Sequence, residues 1–156
     1  MNVLLSIRPK YAEAITEGRK SFEFRKSIFK YRSVERVYLY ATKPVSKVVG
    51  SFKVGEIICG EPKLLWEELG HLSGVSSTEF LKYFEDNDIG FAIEIRDLEV
   101  FQIPVNPGLF IEGFAPPRSF RYIDGQLSCM NINKSFKIDG TNSVVFKNRI
   151  KDSIVP

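Results

Sequence analysis

The sequence is poor in the residues that build disulfides and metal sites. Its 156 residues include two cysteines, Cys59 and Cys129, and one histidine, His71. The cysteines form no Cys-x-x-Cys pair, so this inventory is too small for a zinc site. Catalysis of the Ser–His or Cys–His kind would depend on His71 alone, and no nucleophile motif accompanies it. We therefore predict no metal and no cofactor.

The sequence also lacks a long apolar run. No stretch approaches the length of a membrane span, and the first seven residues are too short and too soon followed by charge to be a signal peptide. Two cysteines far apart in sequence, without a signal, are typical of a reducing compartment. These observations predict a cytoplasmic protein without a membrane partner, and they leave its oligomeric state open.

Acidic residues are scarce in the first half of the first hundred residues, and basic residues are scarce in the second half. Residues 1–53 hold twelve Lys and Arg against four Asp and Glu, whereas residues 54–100 hold three against eleven. A basic N-terminal third favours an anionic partner at that part of the molecule. If folding keeps the segments apart, the acidic surface is turned away from the basic one. The alternative is that folding mixes the charges over the surface.

The most informative stretch is residues 18–25, Gly-Arg-Lys-Ser-Phe-Glu-Phe-Arg. Its glycine ends a short predicted helix, and the residues after it alternate as in a strand. Phe22 and Phe24 share one face, which predicts the core side. A solvated, self-paired charged face is the simpler interpretation of the other side. We predict instead that three charged residues point into one concave site: Lys20, Glu23 and Arg25.

The apolar pattern predicts short strands and helices in one domain over residues 1–123. Gly50 and Gly55 inside a long strand favour bends or bulges. The order of elements predicts an α+β fold, a small mixed β-barrel flanked by short helices. Residues 124–156 are predicted to be an extension of strands and loops, with two Asp-Gly hairpin turns, packed on the same domain. The predicted strands are 2–7, 21–27, 35–42, 47–59, 89–95, 98–103 and 119–123, with Asp97 in a turn, and the helices are 9–17, 62–69 and 76–85.

The spacing Gly18-x-Lys20-x-x-Glu23-x-Arg25 resembles the G-x-K-x-x-E-x-R signature of the ASCH family, the activating signal cointegrator homology domains. The likeness covers about residues 2–123 and implies a PUA-like pseudobarrel. The short motif is only moderately specific, but the ordered set of landmarks around it is strong. These landmarks are Leu5-Ser6-Ile7-Arg8-Pro9 with Tyr11-Ala12, then Val37-Tyr38-Leu39-Tyr40-Ala41-Thr42, Gly90 to Ile95, and Pro116 to Tyr122.

The resemblance implies a cleft beside the motif strand that binds RNA or a modified nucleoside. Basic side chains would hold phosphates, and Glu23 would accept a hydrogen bond from a base edge. Tyr40 or Phe29 would stack on a splayed base, although core packing is the alternative for Tyr40. The first strand is expected to neighbour the motif strand in the sheet. The candidate ligand-binding residues are Lys20, Glu23, Arg25, Ser6, Arg8 and Tyr40.

Two other functions remain open. Some small proteins similar to ASCH domains are amidohydrolases of an acylated cytidine, which use the motif lysine, a threonine three residues later and a separate glutamate. Lys20 matches, but Glu23 replaces the threonine and the region near Ser73 has no acid. Lys20 and Glu23 would be the base and acid of a hydrolase or nuclease, yet the basic third has no carboxylate cluster or histidine pair. A regulatory module that binds proteins through its acidic helices or tail is the third hypothesis. We favour a binding module and assign no catalytic residue.

Overall fold

Six strands of the computed structural model form one curled mixed sheet. The structure describes residues 1–31, 33–109, 111–123, 136–138 and 144–146. The strand order is β2-β5-β4-β3-β1-β6, in which β1 and β3 are parallel and the other neighbours antiparallel. The sheet confirms the predicted α+β class, as a half-barrel flanked by short helices. Its strands are β1 (Asn2–Ile7), β2 (Phe22–Arg25), β3 (Arg36–Ala41), β4 (Lys47–Gly60), β5 (Gly90–Val105) and β6 (Phe120–Ile123).

Short helices fill the connections. The first two, α1 and α2, begin with a proline, which is well suited to a first helical turn. The third, α3, begins after Ser76, whose hydroxyl accepts a hydrogen bond from the Glu79 backbone N–H at 3.2 Å. No helix within the described part of the chain is long and apolar enough to cross a bilayer. The helices are α1 (Pro9–Thr16), α2 (Pro62–Leu69) and α3 (Ser77–Tyr83), with 3-10 turns at Gly70–Leu72 and Pro107–Leu109.

The segment 89–103 departs from its prediction. It is one strand, β5, and not two strands joined by a turn at Asp97. Asp97 has a positive φ of 44°, and the pairing of β4 with β5 shifts register at three places. These irregularities bend the two long strands and so curl the sheet without ending them. The sequence around Asp97 resembles a turn because Arg96, Asp97 and Glu99 of this strand are polar and exposed.

Three apolar clusters hold the sheet and helices together. All six residues of β1 are buried, because one cluster lies on each side of this strand. Phe22 and Phe24 of β2 are buried as predicted, in a third cluster with Leu65 of α2 and Phe80 of α3. This third cluster packs α3 beside the motif strand. It therefore places helix residues from the acidic middle of the chain next to the basic motif.

The cysteines, the histidine and the C-terminal extension are only partly within the described residues. Cys59 is an exposed free thiol on β4, and His71 is exposed in the turn after α2. Cys129 and both Asp-Gly turns lie outside the described residues. Phe136–Ile138 and Val144–Phe146, here β7 and β8, pair as antiparallel strands on either side of the second turn. Within its described residues, the extension therefore contains short strands, as the sequence predicts for residues 124–156.

We predict that a glycine is required at position 50, where β4 pairs closely with β5. A Cβ at Gly50 would lie 2.6 Å from the Glu99 carbonyl oxygen, whereas a Cβ at Gly60 of the same strand would lie 3.7 Å from the Leu65 side chain. A backbone atom cannot move aside, so Gly50→Ala should lower the free energy of unfolding by about 1–3 kcal/mol. Urea denaturation measures this. Gly60→Ala is the control and should be neutral or slightly stabilising. Equal stability of the two variants would contradict the prediction.

Candidate functional site

The Arg25 side chain joins the two ends of the curled sheet. β2 is one terminal strand of the sheet and β6 is the other. Arg25 Nη1 donates to the Ser6 carbonyl oxygen on β1 at 3.2 Å, and Nη2 donates to Ser119 Oγ, just before β6, at 2.7 Å. The expectation that β1 neighbours β2 in the sheet is wrong, since β1 pairs with β3 and β6. Instead, Arg25 connects β2 with β1 and with the segment before β6 across the gap between the two ends of the curled sheet. We call this gap the seam.

A buried carboxylate lies between two cations at this seam. Glu23 Oε2 is 3.5 Å from Lys20 Nζ, and Glu23 Oε1 is 3.5 Å from Arg25 Nη1. The side chains of Lys20 and Glu23 are each 5% exposed and that of Arg25 is 14% exposed. The charges do pair with one another, as in the simpler interpretation of this strand, but they are buried and not solvated. Burial makes each charge dependent on its partners, because a lone buried ion is costly.

The Lys20 ammonium is engaged on several sides. Its Nζ donates to the Ser73 carbonyl oxygen at 3.0 Å and lies 5.7 Å from the Tyr11 ring centroid and 5.1 Å from that of Phe24. The Ser73 region, which carries no acid in this sequence, thus reaches Lys20 through a backbone oxygen. These contacts hold the Lys20 side chain in place at the bottom of the site.

A cleft of about 790 Å³ opens over the seam, within the usual range for ligand sites. Its walls come from β1, α1, β2, α3 and the segment before β6. Seven of its lining side chains are basic and two, Glu23 and Glu79, are acidic. The prediction that Lys20, Glu23 and Arg25 share one concave site agrees with this geometry. The basic side chains are Arg8, Lys10, Lys20, Arg25, Lys26, Lys82 and Arg118.

The cations at the rim of the cleft differ in their partners. Lys10 forms an ion pair with Glu79, and Lys26 Nζ lies 4.9 Å from the Tyr83 ring centroid. Among the residues that the structure describes, three exposed basic side chains of the rim make no hydrogen bond, ion pair or ring contact. These three are Arg8, Lys82 and Arg118. They are free to meet an anion without losing an existing partner.

Two tyrosines that the sequence did not assign to the site also line the cleft. Tyr11 lies on α1, and Tyr83 ends α3. Burial raises the pKa of both phenols, and the Glu79 carboxylate adds to the increase at Tyr11. Both phenols are therefore protonated at neutral pH. Their positions in the helices gave no local sign of a role in the site, apart from the place of Tyr11 among the family landmarks.

Two predicted base-stacking residues are not in the cleft. Tyr40 is 3% exposed and packs against Phe114 with ring centroids 5.5 Å apart. Phe29 is 6% exposed and packs edge-on against Phe120. Core packing, the alternative for Tyr40, is the observed role, because both rings lie in apolar clusters of the curled sheet.

The two remaining candidates do line the cleft. Arg8 is exposed at the start of α1, whereas the Ser6 hydroxyl is engaged and donates to the Pro117 carbonyl oxygen at 2.6 Å.

The acidic middle of the chain is not turned away from the motif. One wall of the cleft is α3, which contributes Glu79, Lys82 and Tyr83. Within the described residues, no group of three or more His, Cys, Asp and Glu side chains is arranged to hold a metal ion.

A curled mixed half-barrel with short helices over its seam defines a PUA-like fold. Within this class, the ASCH domain model matches residues 5–98, which is more than half of the chain. The chain therefore belongs to the ASCH domain family, as its motif predicted. It is 31% identical over 123 residues to the "ASCH domain-containing ribonuclease" of Zymomonas mobilis, covering 77% of this chain and 82% of that protein.

Solved structures agree with this assignment. The crystal structure of ASCH from Zymomonas mobilis superposes with a TM-score of 0.72 at 29% identity, covering 78% of this chain and 86% of that one. Two further structures with the same TM-score of 0.72 are variants of that protein, one with tyrosine replaced by phenylalanine and one with serine replaced by alanine.

We predict that the Glu23 carboxylate is essential for stability. Glu23→Gln keeps the shape of the side chain but leaves the buried Lys20 ammonium without its counter-charge. The free energy of unfolding should fall by about 3–5 kcal/mol, as for other broken buried pairs. Glu79→Gln is the matched control, since its pair with Lys10 is largely solvated and contributes little. Urea titrations of both variants test this, and equal losses would show that burial does not matter here.

Proposed function

We propose that this protein binds single-stranded RNA, or a modified nucleoside within it, in the cleft at the seam. The observation that carries this proposal is the charge of the cleft, where seven basic side chains face two acidic ones. Arg8, Lys82 and Arg118 stand at its rim with no ionic partner among the described residues. Free cations around a concave site attract phosphate groups and release their counterions on binding.

The interior of the cleft suits a nucleobase. Tyr11 and Tyr83 offer aromatic faces, on which unpaired bases commonly stack. Glu23 lies at the bottom with both ion pairs at 3.5 Å, longer than a normal hydrogen bond. Its oxygens therefore retain capacity to accept from an N–H group of a base edge. The rim would hold phosphates, and the interior would hold one base.

The named relative supports RNA over other anions. The protein of Zymomonas mobilis that shares 31% identity with this chain is described as a ribonuclease, and the chain covers 82% of its length. RNA is therefore the natural first ligand to test. Arg25, a sequence candidate for phosphate binding, is better understood as part of the seam, because its guanidinium already bonds Ser6 and Ser119.

The rim cations are expected to set the salt dependence of binding. With about four phosphates neutralised, the log–log slope of affinity against salt should be about −3 on a single strand. Arg118→Gln and Lys82→Gln should each weaken binding to all RNAs and reduce the slope by about 0.7. Fluorescence anisotropy with a short labelled RNA at several salt concentrations measures both quantities.

The matched control for these variants is Lys63→Gln. Lys63 is an exposed lysine of α2 that does not line the cleft, so the same change in net charge should leave the slope unchanged. Equal effects of all three variants would show that net charge, and not the cleft, attracts RNA. No binding at low salt would remove the proposal.

RNA cleavage is the second candidate function, and the name of the relative favours it. In cleavage without added water, the RNA 2′-hydroxyl gives its proton to a base in the cleft, a role open to the Glu23 carboxylate, and its oxygen attacks the neighbouring phosphorus. The 5′-oxygen leaves and takes up a proton, which yields a 2′,3′-cyclic phosphate. Tyr11 and Tyr83 are protonated donors inside the cleft, and Lys20 is a cation that would stabilise the extra negative charge.

Cleavage makes a prediction of its own. A DNA strand with one ribonucleotide should be cut only after that nucleotide, and the product should carry a cyclic phosphate detectable by mass spectrometry. Tyr11→Phe or Tyr83→Phe should slow cutting by about a hundred-fold or more while RNA binding is kept, since only the hydroxyl is lost. Binding without any cutting by the wild-type chain would leave the binding function alone.

A further inference from the structure

Two segments run side by side away from the cleft. Residues 25–31 follow the chain out of the motif strand β2, and residues 118–122 lead into and along β6. We call this pair of segments the track. They touch at three successive levels. The contacts are Arg25 Nη2 to Ser119 Oγ at 2.7 Å, the Phe29 and Phe120 rings at 6.0 Å, and the Tyr31 and Tyr122 rings at 4.8 Å. The track therefore begins at the seam and ends at a pair of tyrosines.

The tyrosine at the end of this track is exposed but fixed in place. Tyr31 is 54% exposed and lies edge-on against Tyr122. The Tyr122 hydroxyl oxygen accepts from the Lys30 backbone N–H at 2.8 Å and from that of Tyr31 at 3.4 Å. A single exposed aromatic residue is common in proteins. Tyr31 differs because one ring contact and two backbone hydrogen bonds to Tyr122 hold its segment in place, while more than half of its side chain stays exposed to solvent.

The track carries positive charge along its length. Residues 25–31 include Arg25, Lys26 and Lys30 and no acidic residue. Lys26 and Arg118 line the cleft, so the charge is continuous with the rim described above. A strand rises about 3.3 Å per residue, which places Tyr122 about 10 Å beyond Ser119. The open ring thus stands within reach of a polyanion that leaves the cleft.

We propose that an RNA strand continues from the cleft along residues 25–31 and stacks a second base on Tyr31. This inference rests on the proposed function and specifies its ligand. The ligand is an oligonucleotide with at least one base outside the cleft, and not a free nucleotide. Lys26, Lys30 and Arg118 contact the phosphates between the two bases, and the Tyr31 face binds a base of any identity, because every base has a stacking surface.

The experiment is a length series of oligouridylates, from the mononucleotide to about eight residues, with binding measured for wild type, Tyr31→Ser and Tyr31→Phe. For wild type, affinity should rise by a distinct step once the strand reaches Tyr31. Tyr31→Ser should remove this step and weaken binding of the longer strands at least about five-fold. Binding of the mononucleotide should not change. Tyr31→Phe keeps the ring and should retain the step.

Other outcomes separate the failure of this inference from that of the proposed function. Equal affinity of Tyr31→Ser and wild type at every length would overturn the Tyr31 subsite alone. A loss of equal size for the mononucleotide would also overturn it, since the substitution would then act on the cleft. Absence of RNA binding by the wild-type chain would remove both. Thermal melting confirms that the serine variant is folded, as expected for a residue that is 54% exposed.

Discussion

The Glu23 carboxylate, held between Lys20 and Arg25, is the interaction on which the site depends. Neither cation would be tolerated at this depth without it, because a buried charge needs a counter-charge and hydrogen bonds. Arg25 in turn bonds Ser6 and Ser119, and so ties β2 to the far end of the curled sheet. One buried group of charges therefore closes the half-barrel and forms the bottom of the cleft above it.

This arrangement divides the basic residues of the cleft into two kinds. Lys20 and Arg25 belong to the stretch that resembles the family signature, yet their charges are already engaged by Glu23 and by backbone or hydroxyl oxygens. The cations available to a ligand, such as Arg8 and Arg118, lie outside the motif. The motif positions the walls, whereas residues from other elements would provide most of the ionic attraction.

Packing explains why an acidic segment forms part of a basic cleft. Phe80 of α3 packs against Phe24 with ring centroids 5.0 Å apart, so apolar burial decides where this helix lies. Its polar residues follow that placement. Glu79 pairs with Lys10 across the opening, while Lys82 and Tyr83 face the site. Because buried apolar area is worth more than exposed charge pairs, the core and not the charge pattern sets the position of α3.

The sequence by itself determined the family and most of the elements, with residues 89–103 as the exception. Alternation in residues 22–25 predicted the buried Phe22 and Phe24 and the inward charges, since strand periodicity is a local property. It did not determine where those charges would find partners. That β1 meets β2 only across a seam, that Tyr40 is core, and that Tyr11 and Tyr83 share the cleft were decided by the tertiary structure. The curl of β4 and β5 brings together residues distant in sequence, and no local pattern records such a long-range approach.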